Sequence, residues 1–212
     1  MPADAVTFAE LSGRLAAAGF DVPAPQVATL AAFLSLLVRW NRVYNLTGIR
    51  EADALIERHL LESLALQPLL RGTPIADVGT GAGLPGLPLA IVEPERQFTL
   101  IESRAKRVRF LRHAVGELKL ANVTIAHERA EHLRVDRPFA TVLARAVAPP
   151  PELLANCAHL TVPGSILLLL TAAHLQDVFR ELAPRLGWRS AAAPLAHAVP
   201  HGKASIVLLE RV

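Results

Sequence analysis

Cysteine is nearly absent from this 212-residue chain. Cys157 stands alone, so no internal disulfide can form and no cysteine cluster can hold a metal. A single thiol fits a reducing compartment, and Cys157 is expected to be packed in the core. Long apolar runs are missing too. The longest, ILLLLTAA from Ile166 to Ala173, falls far short of the ~20 residues that cross a bilayer, so no membrane span is expected. Asp4 and Glu10 stand where an export leader needs a basic start and an apolar stretch, which points to a soluble, cytoplasmic protein. Low-complexity tracts and internal repeats are also lacking. With 52% hydrophobic and 19% charged residues, the chain is neither disordered nor fibrous, and it is long enough to enclose a full core.

Net charge is only +3, yet nearly all the basic side chains are arginine, whose planar fork of donors suits phosphate. A GC-rich genome produces the same bias, so composition leaves both readings open and position has to decide. In SRAKRVRFLRH, the residues Arg104, Lys106, Arg107, Arg109 and Arg112 crowd into little more than two helical turns without an interleaved acid. That makes a candidate nucleic-acid surface.

The chain changes character at about residue 70. Before it, the pattern is helical. Thr7 and Glu10 have capping-box spacing, Leu11, Leu15 and Ala18 recur at helical intervals, and Gly19 provides a stop. Pro25 suits the first turn of a second helix with Val27, Leu30, Leu34 and Leu37 on one face, and a third is expected from about Glu51 to Gln67, ended by Pro68. Beyond it, short β-rich runs alternate with amphipathic segments, the mark of βαβ units and a mainly parallel sheet. Strands are expected at Ile75–Gly79, Phe98–Glu102, Val123–His127, Thr141–Ala144, Ser165–Leu170, near Ser190 and at Ser205–Leu209; helices near Pro85–Val92, Ala105–Leu118, Pro151–His159 and Leu175–Leu186. The expected architecture is α/β: a Rossmann-like domain over residues 71–212, with a seven-stranded mainly parallel sheet and helices on both faces, preceded by a helical extension over residues 1–70.

In PIADVGTGAGLPG an apolar strand runs directly into Asp77, Gly79, Gly81 and Gly83, and a helix opens at about Leu84. Glycines permit a tight turn and let backbone approach a ligand. Glu102 ends the next strand, 23 residues after Gly79, where a carboxylate accepts hydrogen bonds from both hydroxyls of a ribose. An adenosine-containing ligand is implied. Gly81, Gly83 and Gly86 also satisfy the dinucleotide pattern, but Pro85 and Pro88 crowd the helix start that would cradle a pyrophosphate. Asp77 adds negative charge beside the loop, which suits a sulfonium or an amine better than a diphosphate.

Taken in order, WNRVYNLTGI (Trp40–Ile49), RHLLES (Arg58–Ser63), DVGTGAGLPGLPLAI (Asp77–Ile91) and ESRAKRVRFLR (Glu102–Arg112) resemble the RsmG family, formerly called glucose-inhibited division protein B. The resemblance runs from about Leu30 to Arg145. It implies a class I methyltransferase that uses S-adenosylmethionine to methylate N7 of a specific guanine in 16S ribosomal RNA. It further implies that Gly79 and Leu84 contact the cofactor, that Glu102 holds its ribose, that Ala130 and Glu131 read its adenine, and that Arg145 belongs to the same site. The RNA, naked or within the small ribosomal subunit, is the implied partner; no protein partner and no membrane is implied.

Trp40 and Tyr44, spaced i and i+4, suit packing more than base stacking. Asn45 and Thr47 suit a cap of the turn behind them. Arg58 and His59 suit RNA or the methionine end of the cofactor, or equally a helix-face ion pair with Glu62, and His59 is not expected to act as a base. Departures from the family are Leu169–Ala172 in place of a Lys-Gly pair after the fifth strand, Lys203 where arginine is common, and Glu62 for aspartate. Because guanine N7 is a lone pair with no proton to lose, no catalytic base is needed, and no metal. Two rivals remain from the residues: a non-catalytic RNA- and cofactor-binding module, given the missing Lys-Gly pair, and an NAD-linked oxidoreductase, given the second glycine register.

Overall fold

Thr7 closes the first turn of α1 (Phe8–Ala17): its side chain accepts a hydrogen bond from the Glu10 N–H, as the sequence spacing requires. The computed structural model describes residues 6–49, 51–145, 148–192 and 204–212, so Asp4 and Lys203 lie outside the described residues. α2 (Ala24–Tyr44) starts on Pro25 and ends at Asn45, whose φ of 49° reverses the chain in the left-handed region that asparagine tolerates.

The third helical segment departs from the expected single helix. α3 (Ala52–Leu55) passes into a π-helical turn, Ile56–Leu61, then into α4 (Glu62–Leu64), and Pro68 sits within a 3₁₀ turn, Gln67–Leu69. Ile56, His59, Leu60 and Leu61 are all buried in this wide turn.

The sheet is built from β1 (Ile75–Val78), β2 (Phe98–Ile101), β3 (Val123–Ala126), β4 (Thr141–Arg145), β5 (Ile166–Ala172), β6 (Trp188–Ala191) and β7 (Ala204–Arg211) in the order β3-β2-β1-β4-β5-β7-β6. β1 to β5 are parallel, and β7 runs antiparallel to both β5 and β6. β5 continues two residues past the expected end: Thr171 pairs with Ser205 and Ala172 with Ala204, so the stretch that departs from the family is ladder-bonded strand. The crossover helices are α5 (Gly86–Val92), α6 (Ala105–Glu117), α7 (Pro150–Ala158) and α8 (Gln176–Leu182), the last flanked by 3₁₀ turns where one helix over 175–186 was expected.

Alternation along the strands divides the interior. Leu143, Leu168 and Leu170 join the core formed with α1 to α6, whereas Val142, Ala144, Leu167 and Leu169 face the other core with α7 and α8. The N-terminal helices thus share one core with one face of the sheet: Leu30, Leu34 and Leu37 are fully buried beside Leu100 and Phe110. Cys157 lies in the second core, and burial pushes its thiol up to about 12, so it is a packed apolar side chain. Among the described residues no helix is long and apolar enough to cross a membrane.

Candidate functional site

The strand order reverses direction between β1 and β4, and the crevice outside the carboxyl ends of such a pair is where α/β sheets bind ligands. Two cavities open there. The first, about 250 Å³, is lined by Gly79, Glu102, Arg104, Arg107, Ala130 and Glu131 among others. The second, about 240 Å³, is lined by Leu46, Thr47, His59, Leu84 and Arg145, and it shares Gly79 and Arg107 with the first.

Gly79 and Gly81 carry the loop between the cavities at φ of 65° and 62°, a region that side chains disfavour, so bare backbone faces both. Glu102 anchors this loop. Its carboxylate, 4% exposed, accepts from the N–H of Gly81 at 3.1 Å, from the N–H of Arg104 at 2.8 Å and from Arg107 Nη1 at 3.3 Å. The end of β2, the glycine loop and the start of α6 are therefore fixed to a single side chain. Ala130 lies at the opposite wall in a 3₁₀ turn, Ala130–His132, and the exposed Glu131 pairs with Arg129 at 3.6 Å.

Asp77 is not placed in either cavity. It lies under the loop, where Oδ2 accepts from Thr80 Oγ1 at 2.6 Å and from the Gly86 N–H at 2.8 Å. Gly86 is forced by this approach, because a Cβ would stand 2.4 Å from Leu100 and 2.6 Å from Asp77 Oδ2. Burial raises the Asp77 carboxyl from 3.8 to about 7, and the bonds from Thr80 and Gly86 oppose that rise only in part. Negative charge beside a ligand was the expectation from sequence. A side chain that holds the loop from beneath is what the fold makes of it.

Arg145, at the end of β4, pairs with the buried Glu62 at 3.4 Å and donates from Nη2 to the Arg58 carbonyl at 3.2 Å. The sequence left Arg58 and His59 open between RNA or cofactor contact and an ion pair with Glu62, and the structure pairs Glu62 with Arg145. Burial lowers the Arg145 pKa from its ordinary value and Glu62 works against that. Arg145 Nη1 and Asp77 Oδ1 are buried without a hydrogen-bond partner among the described residues.

The residues around His59 were not expected to converge. His59 Nδ1 lies 3.0 Å from the Arg58 carbonyl, which can only accept, so Nδ1 carries the proton and Nε2 accepts from Thr47 Oγ1 at 2.8 Å. Burial first, and then Arg145, lower its pKa to about 4, which keeps the ring neutral at pH 7. Asn41 fixes the segment carrying Thr47: its Oδ1 accepts from the Thr47 N–H at 2.8 Å and its Nδ2 donates to the Ile49 carbonyl at 2.7 Å. Thr47 is thus both part of the turn behind α2 and a wall of the second cavity.

The basic cluster divides in two. Arg104 and Arg107 line the first cavity, Arg107 being held by Glu102, whereas Lys106 and Arg109 lie outside both cavities on the exposed side of α6. Lys106 sits over the Tyr44 ring at 5.4 Å, and Trp40 packs on Tyr44, Phe110 and His113 with centroids 5.1, 5.6 and 5.2 Å away. Packing is therefore what Trp40 and Tyr44 do. Among the described residues no group of three or more His, Cys, Asp or Glu is placed to hold a metal ion.

The family described as GidB, rRNA small subunit methyltransferase G, matches residues 26–203. The chain is 46% identical over 176 residues to the ribosomal RNA small subunit methyltransferase G of Halorhodospira halophila, which covers 83% of this chain and 84% of that protein. To the protein of the same name from Klebsiella pneumoniae it is 41% identical over 178 residues, covering 84% and 86%. Among solved structures it resembles magnesium protoporphyrin IX methyltransferase from Synechocystis PCC 6803 with bound SAM, with a TM-score of 0.60 and 18% identity over 82% of this chain and 90% of that one. The glycopeptide N-methyltransferase MtfA, complexed with S-adenosyl-L-homocysteine, gives a TM-score of 0.58 at 16% identity over 73% and 86%. These structures share the fold, that of class I methyltransferases. With the ordered motifs, the glycine loop tied to Glu102 and the extent of these matches, the chain belongs to the GidB family of ribosomal RNA small subunit methyltransferases G.

Proposed function

We propose that this chain transfers the methyl group of S-adenosylmethionine to N7 of one guanine in 16S ribosomal RNA, in the cytoplasm. The observation that carries the reading is the convergence of Glu102 with the bare backbone of Gly79 and Gly81 at the strand reversal, in a chain of this family.

The residues present fit the cofactor. Glu102 is the acceptor suited to two ribose hydroxyls, Gly79, Gly81 and Gly83 supply a loop without side chains in the way, and Leu84 forms part of the wall. Ala130 and Glu131 offer a backbone N–H and an acceptor for an adenine edge, and the unpartnered Nη1 of Arg145 is a buried donor suited to a carboxylate. Asp77 contributes through the loop it holds. A dinucleotide is disfavoured because the Gly86 N–H, at the head of α5, is already committed to the Asp77 carboxylate and is not open to a pyrophosphate.

When bound, the cofactor supplies a methyl group activated by a sulfonium. The protein's own tasks are alignment and exclusion of water. No side chain need accept a proton, which agrees with a neutral, hydrogen-bonded His59. Arg104, Lys106, Arg107 and Arg109 form the edge of the site toward RNA phosphates. The division into a helical extension over residues 1–70 and a cofactor-binding unit over 71–212 belongs to the same reading and is supported by the first strand starting at Ile75.

Calorimetry tests the cofactor half of this reading: S-adenosylmethionine and its demethylated product should bind 1:1 and NAD should not. Binding of NAD in preference to both would overturn it. A protein that binds the donor but transfers no label to small-subunit RNA would be a binding module instead.

A further inference from the structure

The second cavity takes only the methionine end of the cofactor, at Leu84 and Arg145, and the rest of its lining is more constructed than a surface dent. Part of its wall comes from the N-terminal helices: the segment after α2 brings Thr47, and the π turn brings His59. Asn41 clamps the first of these through two hydrogen bonds, and the Thr47–His59 bond joins the two segments at 2.8 Å. π turns recur at functional sites because they are kept despite poorer helix geometry. The cavity also abuts the cofactor cavity along Gly79 and Arg107, and at Gly79 no Cβ stands between them.

We infer that this second cavity receives the acceptor purine, swung out of its RNA stack, with Thr47 and His59 as residues that position its ring. The inference rests on the proposed function. With Leu84 and Arg145 given to the methionine end of the cofactor, a base that must meet the methyl group has the remaining lining of this cavity, Thr47 and His59, to lie against. The helices on either side of it, α2 before Leu46 and α6 around Arg107, carry the exposed Arg39, Lys106 and Arg109, basic groups suited to the phosphates flanking a displaced nucleotide. The ring of His59 is uncharged, and the Arg107 and Arg145 charges are each opposed by a carboxylate, Glu102 and Glu62. A wall balanced in this way accepts a neutral base and does not strongly repel the positively charged methylated ring.

Two variants on the segment after α2 test the pocket. Thr47→Val removes the hydroxyl at nearly constant volume, and Leu46→Phe narrows the cavity from the segment after α2, away from the glycine loop, where Leu46 lines this cavity and not the first. Each is measured for S-adenosylmethionine affinity, for affinity to small-subunit RNA, for methyl transfer and for the fluorescence of RNA carrying 2-aminopurine at the methylated position. That base brightens when it is unstacked. The inference predicts cofactor and RNA affinities within about threefold of wild type, transfer reduced at least about tenfold, and a diminished fluorescence rise. Thermal melts establish that each variant is folded, and either one suffices. Wild-type transfer and fluorescence in either folded variant would overturn the pocket, as would a loss of cofactor affinity equal to the loss of transfer, which would assign this part of the cavity to the cofactor. Wild-type protein that binds donor but methylates no RNA would refute the proposed function itself.

Discussion

Asp77→Asn removes a charge from the centre of the molecule while keeping its shape, and the structure fixes the sign of the result. Burial raises the Asp77 carboxyl from 3.8 to about 7 in the folded protein. Between those values the folded state holds a proton that the unfolded chain has released. The contribution of this group to stability is therefore complete below about pH 4, is lost as the pH rises, and levels off above about pH 7, a change on the order of 4 kcal/mol. His59 works in the opposite sense. Its pKa falls from 6.5 to about 4, so its contribution is present above 6.5 and is lost as the pH drops toward 4, on the order of 3 kcal/mol. In the wild-type protein the two slopes largely cancel across the acid range. Asp77→Asn leaves the His59 slope alone, so the stability of the variant relative to wild type should increase with pH and reach a plateau above about pH 7. An amide N–H in place of Oδ1 adds a constant offset and leaves the slope unchanged. Urea unfolding at intervals from about pH 5 to pH 8 reads the difference directly. A difference independent of pH, or one that falls with it, would refute the account of Asp77 as a carboxyl buried beneath the loop.

Glu102→Ala should weaken S-adenosylmethionine binding by ~1–3 kcal/mol, or about 5- to 150-fold, as measured by calorimetry. Undiminished affinity in a folded variant would remove Glu102 from the site. Replacing Arg109 and Arg112 with glutamine should lower RNA affinity and flatten its salt dependence by up to ~0.9 in logarithmic slope for each phosphate no longer neutralised, with the cofactor unaffected; an unchanged slope would return these arginines to mere composition. Cys157, buried with its thiol pushed up to about 12, should resist maleimide in the native protein and react fully in urea, as followed by mass. Rapid native labelling would contradict its place in the second core.

β1, β2 and β4 were legible because parallel strands covered on both faces read as short apolar runs, and β3, a half-buried edge strand, was legible from its β-branched residues; all four fall within a residue of their expected ends. Glu102 and the glycines were legible because strand, turn and acid are set by local spacing. The residues that escaped are those fixed by distant contacts. Glu62 has a cationic neighbour close in sequence, Arg58, and another, Arg145, that only the fold brings within reach. Thr47 and His59 meet across a loop and a π turn, and no periodicity announces either. Arg107 looked like its neighbours on α6. Its position five residues after Glu102, across a strand end and a helix start, was the available clue that it would turn back to that carboxylate.

The most direct test is to locate the methyl group. Incubated with labelled S-adenosylmethionine and small ribosomal subunits that lack the modification, the protein should place one methyl on N7 of one guanine in the 16S RNA. Because N7-methylguanine carries a fixed positive charge and is chemically labile, borohydride reduction and aniline cleavage should produce a single strand break that primer extension can map. Label on an exocyclic nitrogen, a ribose hydroxyl, protein or a small molecule, or no transfer to RNA at all, would contradict the account.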